Sequence, residues 1–334
     1  MRISVIGAGG WGTAIAELLG KKGFEVLLWV HGEETLKAFE DLKENTFYLK
    51  GIKIEHIKRF TKDIHDAIDF GEILVLAVPA QKLRSVIQKS GCNKEKLVLN
   101  LAKGIEMKSF KRMSQVIIEE WHIPKENIFT LSGPNFSFEI ASEMPAATVI
   151  GGTDENILKE LQNILSTNYF RVYYSLDLPG VELGGSLKNV YAIACGVSDG
   201  LGFGDSSKAS LIIRSLAELV RLGVALGGRR ETFFGLSGSG DLIATAFSRR
   251  SRNRRAGEEI GRKMTKEEVE KETREVIEGI YTLKSVYDLD ASLAIELPII
   301  FSLYRIVYEK AEPGRELLSL MLRPFKEEKF LSFE

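Results

Sequence analysis

The feature that most restricts this chain is Gly7-x-Gly9-x-x-Gly12, which directly follows a short apolar run over residues 2–6 and opens a helix-compatible stretch over 13–19 that Gly23 can stop. In a strand–turn–helix setting each glycine has a separate task. Gly7 permits the tight turn, Gly9 lets backbone approach a pyrophosphate, and Gly12 lets the helix pack against the strand, while the helix N-terminus contributes N–H donors and a positive dipole. A glycine turn between packed elements would use the same residues, but here strand, turn and helix all agree with dinucleotide binding.

Further apolar runs recur at 26–30, 73–78, 97–102, 128–132, 147–150 and 172–174. Polar, helix-permissive segments separate the earlier ones, as a parallel doubly wound sheet requires. From Val181 onward the period changes to that of helices, with helices expected over 183–197, 209–226, 255–263, 266–270 and 282–289. The fold expected is α/β: an N-terminal Rossmann-type doubly wound sheet over 1–178, then an all-helical substrate-binding and catalytic domain over 179–334. The boundary falls near Pro179. A chain of 334 residues is also long for a single core.

The charge balance narrows the function. Lysine plus arginine (45) nearly equals aspartate plus glutamate (46), so no global field draws the chain to nucleic acid or anionic lipid, and any anion site is local. Cys92 and Cys195 lie far apart without metal-like spacing, which fits reduced thiols, no metal site and the cytoplasm. Neither a signal segment nor a membrane span is legible.

Several polar residues stand where a ligand would lie. The second strand ends near His31-Gly32-Glu33-Glu34; His31 suits a 2′-phosphate and Glu33 a ribose hydroxyl, so NADP and NAD both stay open, and His31 as a solvated loop residue is the plain alternative. The run 97–102 delivers Lys103 to a strand's carboxyl end, and Leu131-Ser132-Gly133-Pro134-Asn135 is a second strand end with a glycine–proline turn. Lys188 is the only ionisable side chain from Leu183 to Ser198 apart from Tyr191 and Cys195, and Gly184, Gly185, Ala192 and Cys195 lie at helical spacing around it. Buried there, a lysine would have its pKa lowered towards the range of a general base; a snorkelling or salt-bridged lysine is the alternative. Gly238-Ser239-Gly240-Asp241 reads as a flexible turn carrying one carboxylate. In Ser248 to Arg255, five arginines, a helix-capping Ser251 and Asn253 suit a single phosphoryl group better than a nucleic-acid backbone. Arg249, Arg250, Arg254 and Arg255 also read as a solvated cationic face.

Taken together, GAGGWGTA at the start, NLAKGIE at 100–106, LSGPNF at 131–136, SLKNVYAIACG at 186–196, GLSGSGDL at 235–242, SRN at 251–253, EVIEG at 275–279 and ELPI at 296–299 resemble the bacterial-type NAD(P)-dependent glycerol-3-phosphate dehydrogenase family over nearly the whole chain. SLKN, GDL and SRN in this order are far more specific than the glycine motif. The resemblance implies that Lys188 is the proton acceptor and that Lys103, Gly133, Asn135, Asp241, Ser251, Arg252 and Asn253 surround the substrate. It also implies that Trp11, His31, Lys103, Ser137, Arg252, Val276 and Glu278 contact the dinucleotide together with the glycine turn, Gly10 included. Lys103 would assist catalysis beside Asn189.

Four positions depart from the commoner pattern: Gly10 and Asn135 where hydroxyl residues are usual, Ser137 where alanine is, and Ser239 where leucine is. At Gly10 and Asn135 it is the backbone contacts that carry over. The implied reaction interconverts sn-glycerol 3-phosphate and dihydroxyacetone phosphate with NAD or NADP and supplies phospholipid synthesis. Its expected partner is a small phosphorylated molecule, with no nucleic acid, and a homodimer is allowed. A hydroxyacid dehydrogenase with a carboxylate substrate is the nearest enzymatic rival, and a dinucleotide-sensing or nucleic-acid-binding regulator the rival of another class.

Overall fold

Strand and helix alternate along the first half because short β-branched runs, which favour a pleated surface, are separated by segments of good helix formers. The computed structural model describes residues 1–273, 276–290, 295–325 and 327–328. It divides into two units: Met1–Lys103 with Arg112–Glu182, and Gly104–Lys111 with Leu183 onward. That division falls a helical turn beyond Pro179 and assigns Gly104–Lys111 to the second unit, a segment that the sequence reading kept with the first.

In the first unit the strands are β1 (Arg2–Ile6), β2 (Glu25–Trp29), β3 (Arg59–Thr61), β4 (Ile73–Leu76), β5 (Leu97–Asn100), β6 (Ile128–Ser132), β7 (Ala146–Gly151) and β8 (Phe170–Ser175). They form one sheet in the order β3-β2-β1-β4-β5-β6-β7-β8. The order reverses between β1 and β4, the switch point at which open α/β sheets bind ligands. Pairing is parallel except between β6 and β7, which are antiparallel, so the sheet is mixed rather than all-parallel. The short β3, half exposed and polar, had no strand signature in the sequence.

Seven helices cover the two faces: α1 (Gly10–Lys21), α2 (Glu33–Leu42), α3 (Ile64–Phe70), α4 (Ala80–Ile87), α5 (Met113–Trp121), α6 (Ser137–Ala141) and α7 (Glu155–Leu165). Alternate strand residues feed separate cores. Val26 and Leu28 join α1, α2, α6 and α7 on one face, and Leu27 and Trp29 join α3, α4 and α5 on the other. Burial on both faces is why these strands read as continuous apolar runs.

The second unit is helical among its described residues. Its helices are α8 (Leu178–Gly200, whose first turn belongs to the first unit), α9 (Asp205–Ala225), α10 (Asp241–Phe247), α11 (Arg252–Gly261), α12 (Lys266–Glu272), α13 (Glu278–Asp290), α14 (Pro298–Tyr308) and α15 (Pro313–Ser319). Helix α8 is buried without a break from Val181 to Ser198, which marks it as the centre of its core rather than a surface helix. Helix α14 begins at Leu297-Pro298 without a side-chain cap of its own, and Glu218 of α9 takes that part. Glu218, 1% exposed, accepts from the Ile299 N–H at 2.8 Å and the Ile300 N–H at 3.4 Å. Burial outweighs these bonds and pushes its carboxyl up to about 7. No described helix is long and apolar enough to cross a membrane.

Candidate functional site

In the first unit the glycine turn has the geometry its spacing implies. Gly7 sits at φ +122°, and a Cβ there would lie 2.7 Å from the Ala77 carbonyl oxygen at the end of β4. At Gly12 a Cβ would come within 2.0 Å of the Gly7 carbonyl oxygen, so any side chain would push α1 off the turn. Gly9, the N-cap of α1, faces open space within 4 Å and provides no side-chain cap. The first-turn N–H groups of α1, which the helix itself leaves unpaired, therefore lie beside an open approach.

Asn45, missed in the sequence, and Trp11, expected to contact the dinucleotide, frame this turn. Asn45 donates from Nδ2 to the Ala8 carbonyl at 2.9 Å and to Thr13 Oγ1 at 2.8 Å, and it accepts from the Tyr48 N–H, tying a turn onto the loop. A lone asparagine in a polar stretch carries no signal of such a contact. Trp11 packs edge-on to Phe170, and its buried indole N–H has no acceptor among the described residues. An orphan donor, unpaired helix N–H groups and an open glycine suit a dinucleotide's phosphates and amide.

His31 is exposed just beyond β2, its ring 5.6 Å from that of Trp29. Glu33 opens α2 and pairs with Lys62. Lys103, just past β5, donates from Nζ to the Gly133 carbonyl at 3.1 Å, and the Asn135 N–H donates to the same oxygen at 2.8 Å. Asn135 Nδ2 donates to Ala147, while its buried Oδ1 has no donor among the described residues. Lys103, Gly133 and Asn135 thus come together. Ser137 opens α6, its Oγ lying 2.9 Å from where a Cβ on Gly10 would stand.

The second unit gathers another set. Lys188 Nζ, in a residue 7% exposed, lies 2.7 Å from Asp241 Oδ1 and donates to Thr245 Oγ1 at 2.6 Å; the threonine hydroxyl donates to Asp241 at 3.2 Å. Lys188 is buried with a carboxylate partner, so it is neither solvated nor an isolated charge. Thr245 stands one helical turn after Asp241 on the same face of α10, a position that only the helix reveals. The segment expected to be a flexible turn is instead a π-turn over Leu236–Gly240 that runs into α10, its Ser239 hydroxyl donating to Phe234.

Ser251 caps α11, accepting from the Arg254 N–H at 3.2 Å. Arg252 is exposed and donates to the Val276 carbonyl at 3.3 Å. Asn253 turns inward, donating to Asn189 Oδ1 at 3.0 Å and accepting from the Gly279 N–H at 2.9 Å, beside Glu278 at the start of α13. Glu275 of the EVIEG segment lies outside the described residues. Arg249, Arg250 and Arg255 are exposed, but Arg254 is not part of a solvated face: it pairs with Asp199 at 2.6 Å and Glu258 at 3.2 Å.

The lysine helix and the arginine helix meet at backbone distance. A Cβ on Gly196 or Gly200 of α8 would fall 2.0 or 2.2 Å from carbonyl oxygens of Arg254 and Glu258, and one on Gly257 or Gly261 of α11 would fall 2.0 or 2.5 Å from those of Ile193 and Val197. Two glycine pairs, each spaced one turn apart, let the helices touch and fix where Ser251–Asn253 begins relative to Asn189.

Family models for the N-terminus and the C-terminus of NAD-dependent glycerol-3-phosphate dehydrogenase match residues 2–158 and 177–317. The chain belongs to this family. It is 43% identical over 330 residues to the glycerol-3-phosphate dehydrogenase [NAD(P)+] of Carboxydothermus hydrogenoformans, covering 98% of each chain. It is 40% identical to that of Clostridium acetobutylicum, again over 98% of each. The crystal structure of the glycerol-3-phosphate dehydrogenase of Coxiella burnetii superposes with a TM-score of 0.91 at 33% identity, over 96% of this chain and 99% of that one. Among glycerol-3-phosphate dehydrogenases, then, the two-unit architecture is common to this chain and a solved member.

Proposed function

We propose that the chain interconverts sn-glycerol 3-phosphate and dihydroxyacetone phosphate with NAD(H) or NADP(H). The observation that carries the reading is the buried Lys188–Asp241–Thr245 cluster in a chain of this family. When bound, the nicotinamide supplies or takes up the hydride at the substrate's C2.

Gly7, Gly9, Gly10, Gly12 and Trp11 would hold the dinucleotide's phosphates and amide, with His31 at the adenosine ribose and Ser137, Arg252, Val276 and Glu278 as further contacts. Lys188 would handle the proton of the C2 oxygen. Asp241 stabilises its ammonium, the form that must donate when the ketone is reduced, and in alcohol oxidation the amine takes the hydroxyl proton. Thr245 and Asp241 hold Nζ in place, so the proton is delivered from a fixed point. Lys103 would offer positive charge to the developing alkoxide, helped by Asn189, with Gly133 and Asn135 beside it. Arg252 and the Ser251-capped start of α11 would bind the phosphate, turning remote binding energy into orientation of C2. The inward-turned amide of Asn253 would brace that segment.

A phosphorylated small molecule fits the local charge better than nucleic acid, because Arg254 is consumed within the protein. We place the enzyme in the cytoplasm, supplying glycerol 3-phosphate for phospholipids. Initial rates with dihydroxyacetone phosphate against NADH and NADPH in turn test the reading. Turnover with at least one supports it, and none with either overturns it.

A further inference from the structure

We infer that the phosphate cradle of the first unit is completed by the Ser137 hydroxyl, and that Gly10 is glycine so that this hydroxyl can reach it. The inference rests on the proposed dinucleotide site and goes into its construction. Ser137 stands at the first position of α6, and Gly10 at the first position of α1. A Cβ on Gly10 would lie 2.9 Å from Ser137 Oγ and 2.9 Å from the Tyr48 carbonyl oxygen, closer than carbon tolerates. The Tyr48 turn is held by Asn45, whose Nδ2 is bonded to Ala8 and Thr13, so that side of the gap does not yield easily.

A Cβ on Gly10 would therefore meet the Ser137 hydroxyl and the Tyr48 carbonyl oxygen at once. That hydroxyl borders the helix start where Gly9 lacks a side-chain cap and faces open space. The helix start offers backbone N–H donors alone. A hydroxyl from a neighbouring helix adds a donor that is not fixed to α1 and can turn to a phosphate oxygen. The group recognised is a pyrophosphate, common to both dinucleotides, so Ser137 strengthens binding without choosing between them.

A mutant cycle read by ligand dissociation constants and apo-protein melting tests this. Ser137→Ala is expected to weaken NADH, NADPH and the nicotinamide-free ADP-ribose alike, each by roughly tenfold, the lower end for a hydrogen bond to a charged group. Its apo melting temperature should stay at the wild-type value. In a Gly10→Ala background, where the new methyl has already displaced the hydroxyl, Ser137→Ala should change affinity by less than about twofold. Wild-type affinity in Ser137→Ala, a loss confined to NADH and NADPH with ADP-ribose unaffected, or equal losses in both backgrounds would each overturn the inference. A wild-type protein that binds none of the three ligands would instead bring down the dinucleotide reading beneath it.

Discussion

The glycine turn at the head of α1 and the lysine cluster of α8 and α10 solve opposite problems. The turn works by leaving things out: three missing side chains, an uncapped helix start and an open face at Gly9. The cluster works by putting charges in, a lysine and an aspartate each under a tenth exposed, neutralised by one another and hydrogen-bonded to a threonine. Backbone donors need no partner to persist, because water satisfies them until a ligand arrives. A buried ammonium does need one, and losing one member of such a pair strands the other at high cost.

The contrast is sharpest at Lys188. Lys188→Ala should lower kcat by at least about 100-fold, the low end of what a positioned acid or base contributes, while dinucleotide affinity stays near wild type. Lys188→Arg should not restore turnover, since a guanidinium does not give up its proton at accessible pH. If the alanine variant kept most of its kcat, the cluster would be structural and the two regions would not differ in kind.

Glu218 extends the comparison to a buried charge that is only partly compensated, facing the first N–H groups of α14 with Arg221 and Arg323 nearby. Its carboxyl, raised from 4.5 to about 7, keeps its proton longer in the fold than in the unfolded chain. Its contribution is therefore intact below about pH 4.5 and is lost as pH rises to 7, on the order of 3 kcal/mol at most. Chemical denaturation at stepped pH should show Glu218→Gln flattening that fall. A slope equal to wild type would mean the carboxyl is not ionising there.

Next in size is Arg252→Ala, which should cut kcat/KM for dihydroxyacetone phosphate by roughly tenfold to a hundredfold with little change in melting temperature. Arg254→Ala should do the reverse in part, lowering melting temperature through the loss of Asp199 and Glu258. Matching behaviour of the two variants would erase the distinction between the exposed and the inward arginine. The smallest effect belongs to the open region: His31→Glu should shift preference towards NADH by a few-fold, because a carboxylate repels a 2′-phosphate. An unchanged ratio of NADPH to NADH rates would remove His31 from the ribose.

Legibility in the sequence follows the same divide. The turn was readable because each glycine's duty is local, fixed by neighbours within a few residues and by the strand before it. The cluster was half readable: Lys188 stood out as a lone charge among small residues, but Asp241 looked like part of a flexible turn until the π-turn and α10 placed it beside Nζ, and Thr245 had no signal at all. Asn45 and the Arg254–Asp199 pair escaped for the same reason, since the groups Asn45 donates to lie 32 and 37 residues away in the chain and Asp199 lies on another helix from Arg254. In the sheet, β3 was too short and polar to announce itself, and nothing in an apolar run encodes the reversed direction that begins at β7.

The four glycines between α8 and α11 have a consequence for motion. A helix pair separated by ordinary side chains can slide by exchanging rotamers, because its surface is made of soft, repackable groups. Where backbone rests on backbone, with no room even for a Cβ, there is no side chain to repack. Lys188 and Arg252 thus sit on two helices in direct backbone contact. If the proposed roles of Lys188 and Arg252 hold, the spacing between them is set by backbone packing and not by side chains that can repack.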